Sequence, residues 1–280
     1  MKLIGWDTSS KSGALVALEW DAEICLRAQG WKSVRLVSEF TLNVDLTHSE
    51  RLLWGVHQIL ESARWKLEDE DVIAVGVGPG SFTGLRIGIT TARTLAHTLK
   101  KPLIGVSSLA ALARPLALNF AQESLTSIKT LVIAATDACK GELFALWGTP
   151  QAVAACVVRA DDESGCPGLW GPGAREEVIE PQLLVEMIQK EILKDPENTR
   201  WIVVGEGRNR YSEIWAQLPR ELVGGVPYPY SDQVQGRYLG LLAWEGVQAG
   251  LAREGLLVHP QYLRASDAEL KLKARQLGIK

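Results

Sequence analysis

Val72-Ile73-Ala74-Val75-Gly76-Val77-Gly78-Pro79-Gly80-Ser81-Phe82-Thr83-Gly84-Leu85-Arg86-Ile87-Gly88 is the stretch whose reading decides the fold. Val72 to Val75 reads as a buried strand, and the segment after Ser81 keeps helical periodicity to about Leu99. A strand, a glycine-rich turn and a helix start are the parts of an anion-binding loop, because free N–H groups and the helix dipole attract negative charge. No Gly-Lys-Ser/Thr follows, so this is not a Walker loop. Two roles stay open. The glycines hold a ligand, or they let two stretches of backbone meet.

Upstream, Leu3 to Trp6 is a short apolar strand ending at Asp7. Thr8-Ser9-Ser10-Lys11-Ser12-Gly13 is turn chemistry, and Ala14 to Leu18 resumes a strand. Downstream the pattern returns. Leu131 to Ala135 is a strand, Asp137 follows, Ala138-Cys139-Lys140-Gly141 turns, and Leu143 to Trp147 comes back. Two strand–Asp–turn–strand units, each heading one half of the chain, point to an internal duplication; the alternative is two unrelated hairpins. Asp7 and Asp137 either hold Mg²⁺ near a phosphate, as in actin-like ATPases, or cap their own turns.

Thr47-His48-Ser49-Glu50 has the spacing of a capping box before a helix to about Lys66. A His-Ser-Glu catalytic reading fails, since helical neighbours diverge by ~100° each. Leu52, Leu53, Val56, Ile59, Leu60, Ala63 and Leu67 share one arc, which should pack on a sheet. The opposite face carries Glu50, His57 and Glu61 together with Trp54 and Trp65, and two tryptophans there favour a partner surface over an unseen covering loop. In the next helix Gly84, Gly88, Ala92 and Ala96 recur every fourth residue beside Leu85, Ile89, Leu95 and Leu99. Glycine inside a helix costs about 1 kcal/mol against alanine, so something must approach that face closely: the protein's own sheet or another helix.

The later chain reads as a helix over Leu109 to Leu118, a loop-rich stretch over 149–175 and a helix over Pro181 to Leu193. A strand from Trp201 to Val204 then leads into Gly205-Glu206-Gly207, and a further helix covers Leu239 to Leu251. The last residues carry Lys271, Lys273, Arg275 and Lys280, a basic tail.

Composition narrows the function. A net charge of −3 disfavours a protein that grips nucleic acid alone. Cys25, Cys139, Cys156 and Cys166 form no C-x-x-C pair and read as reduced thiols. His48, His57, His97 and His259 lack metal-site spacing, so no metal is expected. No Gly-x-Ser-x-Gly elbow occurs, and no apolar run approaches the ~20 residues of a membrane span. The start, Met1 to Asp7, meets a charge too early for a signal peptide, and the expected location is cytoplasmic, with no membrane contact.

Six strings then occur in an order and spacing that resemble one family. They are Ile4-Gly5-Trp6-Asp7-Thr8-Ser9, His48-Ser49-Glu50-Arg51-Leu52-Leu53, Gly78 to Gly88, Gly105-Val106-Ser107-Ser108-Leu109, Asp137-Ala138-Cys139-Lys140-Gly141-Glu142-Leu143-Phe144 and Pro260-Gln261-Tyr262-Leu263-Arg264. The chain resembles the TsaB (YeaZ) family, densely over its first half and thinly after it. The resemblance implies an α/β fold of the actin-like, sugar-kinase-like (ASKHA) type, with two duplicated α/β domains on mixed sheets. The expected division is residues 1–106 with a helix at about 231–253 packing back on them, a degenerate second domain at 107–230, and a basic tail at 254–280. The family's role is accessory, in forming threonylcarbamoyladenosine beside the tRNA anticodon. TsaD transfers the group, the small ATPase TsaE joins, tRNA is met only within the complex, and homodimers form without TsaD. TsaD uses a metal-binding His pair, and Ser107-Ser108-Leu109-Ala110-Ala111 stands where the later part of such a site would be sought.

Contacts in the family run through the helix near Thr47 and the helix after the glycine loop. The expected partner interface is therefore Leu52, Trp54, Val56, Ile59, Gly84, Leu85, Gly88, Thr91, Ala92 and Leu95, with no catalytic residue. Asp7, Thr8, Gly80, Ser81 and Arg86 are the candidate contacts for a nucleotide or anion held at the TsaD interface, and no cofactor is expected on this chain alone. Trp6, Trp54 and Cys139-Lys140 depart from the family pattern. The runner-up is an ATP-dependent small-molecule kinase on the same fold, which would use Gly205-Glu206-Gly207 as its adenosine loop; a protease is a distant third.

Overall fold

The computed structural model describes residues 1–21, 34–43, 48–121, 129–159, 168–219 and 232–264. Two mixed sheets organise them. The first holds β1 (Lys2–Asp7), β2 (Ser12–Trp20), β3 (Val34–Asn43), β4 (Val72–Gly78) and β5 (Leu103–Ser107) in the order β3-β2-β1-β4-β5. The second holds β6 (Lys129–Cys139), β7 (Glu142–Gly148), β8 (Arg175–Ile179) and β9 (Thr199–Val204) in the order β8-β7-β6-β9. β1 runs antiparallel to β2 and parallel to β4. β6 repeats this, antiparallel to β7 and parallel to β9. The third strand of each hairpin also pairs antiparallel at the same place. That shared order and direction is the duplication expected from the two Asp hairpins, and it gives the chain the duplicated α/β architecture of the actin-like fold.

Helices fill both faces of each sheet. α1 (His48–Ala63) and α2 (Phe82–Leu99) cover the outer face of the first sheet, and α3 (Ser108–Ala121) follows β5 directly. α4 (Pro150–Ala154), α5 (Pro181–Ile192), α6 (Glu206–Arg210) and α7 (Ser212–Trp215) belong to the second half, and α8 (Gly236–Gln248) returns to lie on β1, β2 and β5. β4 is buried along its whole length, as a central strand with helices on both faces must be; hence its unbroken apolar run. Ser81 caps α2 by accepting from the Gly84 N–H, and Lys100 ends it in the left-handed region, its N–H turned back on Ala96 and His97. Proline at the first position starts both α4 and α5.

Three apolar clusters result. One joins Ile4, Trp6, Ile73 and Val75 to Leu52, Val56, Ile59, Leu85 and Ile89 under α1 and α2. A second joins Ile133 and Val203 to Leu184, Ile188 and Trp215 outside the second sheet. The third lies between the sheets, where Leu109, Leu112 and Leu116 of α3 and Leu239 and Leu242 of α8 meet Val16 and Ile104 on one side and Val132 and Leu146 on the other. α3 is therefore shared between the halves and does not belong to the second half alone. Arg114, buried in this layer, bonds the Ala154 carbonyl and Glu245 of α8.

The structure revises several element bounds. The first helix ends at Ala63, so Trp65 leaves the helical phase and is buried, with the Lys2 ammonium 5.0 Å from its ring. Trp54 alone of the two tryptophans is exposed. Thr47 of the capping box lies outside the described residues, as do residues 265–280 of the basic tail. Residues 254–264 are no solvated tail: a 3-10 turn at Gly255–Leu257 packs on α2, and the rest crosses the molecule.

Candidate functional site

The glycine stretch and the Asp7 hairpin meet at the mouth of an interdomain cleft of about 1080 Å³. Asp7 is fully buried. Its Oδ1 accepts from the Ser9 N–H at 2.9 Å and the Ser9 hydroxyl at 2.6 Å, and its Oδ2 from the Ser108 hydroxyl at 2.5 Å. Ser108 Oγ in turn accepts from the Gly78 N–H at 3.2 Å. A charge-assisted relay thus ties the end of β1, the glycine turn and the start of α3 together. Thr8, also buried, donates to the Gly84 carbonyl at 2.7 Å, and the Trp6 indole donates to the Gly88 carbonyl at 3.0 Å.

These contacts settle what the glycines are for. A Cβ on Gly80 would stand 2.3 Å from the Ser9 carbonyl oxygen, and one on Gly88 would stand 2.2 Å from Thr8 Oγ1. Both distances are far inside van der Waals contact, so the glycines let α2 and its loop lie against the Thr8–Ser9 turn. The stripe expected to face another protein faces the protein's own hairpin and sheet. Gly84, Leu85, Gly88 and Ala92 are buried there, and so are Leu52, Val56 and Ile59 of α1. The expected interface is corrected accordingly. Of the ten residues, Trp54 is exposed and Thr91 and Leu95 are partly so. Leu53, placed by periodicity on the packing arc, is 59% exposed beside Trp54. At that position the helix has already turned off the sheet.

The expected anion contacts divide the same way. Asp7 and Thr8 are spent inside the fold, Gly80 and Ser81 line the cleft, and Arg86 is exposed beside it. Arg86 lies over the Phe82 ring, 3.8 Å from its centroid, and its Nε–H donates to the Tyr262 hydroxyl at 3.3 Å. Phe82 and Tyr262 pack ring on ring at 4.7 Å. The periodicity of one helix cannot show that cluster, because Tyr262 arrives from the other end of the chain.

The second half presents the counterpart. Asp137 is part-exposed in the cleft, accepts from the Cys139 N–H at 3.1 Å and the Tyr211 hydroxyl at 3.3 Å, and pairs with Arg210 at 3.3 Å. Cys139, Lys140 and Gly141 make the tight turn, all with positive φ. Glu176 on β8 is buried; its Oε1 accepts from the Ser107 hydroxyl at 3.0 Å, and Arg159 faces its Oε2 at 4.0 Å. Burial pushes this carboxyl up to about 7. Among the described residues, no three His, Cys, Asp or Glu side chains converge as a metal site would require.

Fold and cleft define an actin-like protein in which Asp7, at the end of β1, serves as an internal tie. Similarity to known proteins narrows the class. Residues 42–271 match the family model described as "TsaD: tRNA N6-adenosine threonylcarbamoyltransferase". The chain is 31% identical over 212 residues to the Escherichia coli tRNA threonylcarbamoyladenosine biosynthesis protein TsaB, covering 74% of this chain and 75% of that protein. The Bacillus subtilis protein of the same name is 41% identical over 78 residues, 28% of this chain and 34% of that one. A solved YeaZ structure from Pseudomonas aeruginosa superposes with a TM-score of 0.60 at 25% identity, over 93% of this chain and 100% of that one. The chain belongs to the TsaB (YeaZ) family.

Proposed function

We propose that this chain is a non-catalytic scaffold subunit in the formation of threonylcarbamoyladenosine in tRNA. In this reading it pairs with TsaD, which transfers the threonylcarbamoyl group to N6 of the adenosine beside the anticodon, and TsaE joins them. The observation that carries the reading is the state of Asp7. The acid that an actin-like enzyme would offer to a metal and phosphate is buried and fully hydrogen-bonded to Ser9 and Ser108. The adjoining helices α1 and α2 meanwhile leave an apolar surface, Leu53 and Trp54, with Thr91 and Leu95 partly open. An exposed Leu-Trp pair is costly in water and suits the centre of a protein interface. The same surface would serve a homodimer when TsaD is absent. A nucleotide at the boundary would meet Gly80, Ser81 and Arg86, and tRNA would be met through the complex.

The test mixes the chain with its TsaD and TsaE, ATP, threonylcarbamoyl-adenylate and tRNA, and measures co-elution and transfer. Trp54→Glu should leave the fold intact and weaken co-assembly roughly 30-fold, the effect of losing a hot spot worth about 2 kcal/mol. A TsaD that is fully active alone and forms no complex with the chain refutes the proposal. A second reading, an ATP-dependent small-molecule kinase, draws on the roomy cleft. Calorimetry with ATP and Mg²⁺ separates the two, since micromolar binding by the isolated chain favours the kinase.

A further inference from the structure

The segment His259 to Arg264 crosses the cleft mouth and touches both halves. On the first half, the Gln261 N–H donates to the Val77 carbonyl at 2.8 Å, and Tyr262 packs on Phe82 and accepts from Arg86. On the second half, Arg264 donates to the Ala138 carbonyl at 2.6 Å and to the Cys139 carbonyl at 3.5 Å, and pairs with Glu142 at 3.5 Å. The Gln261 side chain also reaches the Arg159 carbonyl at 3.0 Å. Gln261, Tyr262 and Arg264 line the cleft together with Phe82 of the first half and Ala138 and Cys139 of the second. The shared apolar layer of α3 and α8 holds the two sheets together from between them.

We propose that this segment is a latch: it fixes the opening of the interdomain cleft through contacts of the chain with itself. An apolar layer on one side and a clasp at the mouth restrain rotation of one half against the other far better than the layer alone, because the clasp acts at the longest lever arm. Cleft closure around a ligand is the usual way such two-lobed folds are set. Here the chain supplies its own bridge, so the relative pose of the halves is held by hydrogen bonds, a ring contact and an ion pair within the chain. Anything entering the cleft at Phe82 or the Val77 carbonyl has to displace Gln261 and Tyr262 first. This inference is independent of the scaffold assignment, since a latched cleft would exist whatever the partner.

The test places spin labels on Cys139, which is exposed at the second hairpin tip, and on the thiol introduced by Lys11→Cys across the cleft, with Cys25 and Cys166 replaced by serine. The intact chain should give one narrow distance distribution. Tyr262→Ala with Arg264→Ala should broaden it toward longer distances and speed amide exchange roughly tenfold in Val77–Gly80 and Ala138–Gly141. A chain ending at Arg264 should behave like the full chain. Unchanged distances and exchange in the double variant overturn the latch, and so does broadening caused by removing residues 265–280 alone. Should the double variant lose its fold, Arg264→Gln read by exchange at Ala138–Gly141 gives the same decision: faster exchange there sustains the latch, and none refutes it.

Discussion

The two halves share a strand order and have diverged at the same corner. In the first half, Asp7 is buried and bonded to its own turn and to α3; in the second, Asp137 is part-exposed and paired with Arg210 and Tyr211. After β4 a glycine loop launches an 18-residue helix, whereas after β9 Gly205 leads into helices of five and four residues. In the first half the acid is a structural tie, and the long helix has a packed inner face and an open outer face. The second half presents a polar cleft wall and short helices. A duplicated fold can therefore hold the same sheet topology while the acid at one corner is buried and the acid at the other stays open to the cleft.

The sharpest way to break this contrast is Gly88→Leu. The new side chain would drive into Thr8 and disturb the bonds to Gly84 and Gly88 carbonyls. A loss of about 3 kcal/mol or more is expected, read as a fall in denaturation midpoint. A folded monomer that merely fails to bind a partner would instead place the glycine stripe at an interface.

The buried carboxylates of the two halves give the next effect. Burial holds Glu176 in the second half, and Glu70 beside the first sheet, at about 7. A carboxyl raised above its unfolded value of 4.5 keeps its proton longer in the folded state. Its destabilising ionisation then sets in as pH rises from about 4.5 through 7 and is complete above that. Glu176 alone should contribute a decline of up to about 3 kcal/mol across that window. Glu176→Gln keeps an acceptor for Ser107 and should flatten the slope in a pH series of urea melts. A slope that survives in this variant assigns it elsewhere.

Asp7→Asn against Asp137→Asn sharpens the comparison itself. The first removes charge from a buried relay and should cost about 2 kcal/mol. The second weakens a part-exposed pair and should cost under about 0.5 kcal/mol. Equal losses in matched thermal melts would mean that the two corners have not diverged in role.

Much of this was legible along the chain. Apolar runs marked β1, β4, β6 and β9, and the two Asp turns marked the duplication. β8 is not legible locally: Arg175-Glu176-Glu177 puts three charges at the start of a five-residue strand, and nothing in the neighbouring sequence says that Glu176 is buried. β3 is masked in the same way, its polar positions Arg35, Ser38 and Glu39 hiding an edge strand. The candidate site was half legible. Gly80 and Ser81 line the cleft at the loop that the glycine stretch marks, but Tyr262 and Arg264 join it from the far end of the chain.

The sequence by itself determined that a strand, a glycine turn and a small-residue helix follow one another, and that something must come close to that helix. Local propensity and periodicity are enough for that, because they depend on near neighbours. Which surface comes close was decided only by the tertiary structure. The Thr8–Ser9 turn, about 75 residues upstream, fills the space that Gly80 and Gly88 leave empty. α1 divides in the same way: Leu52, Val56 and Ile59 are buried against the sheet while Leu53 and Trp54 are left exposed, because a helix has only one circumference and the core takes its share first.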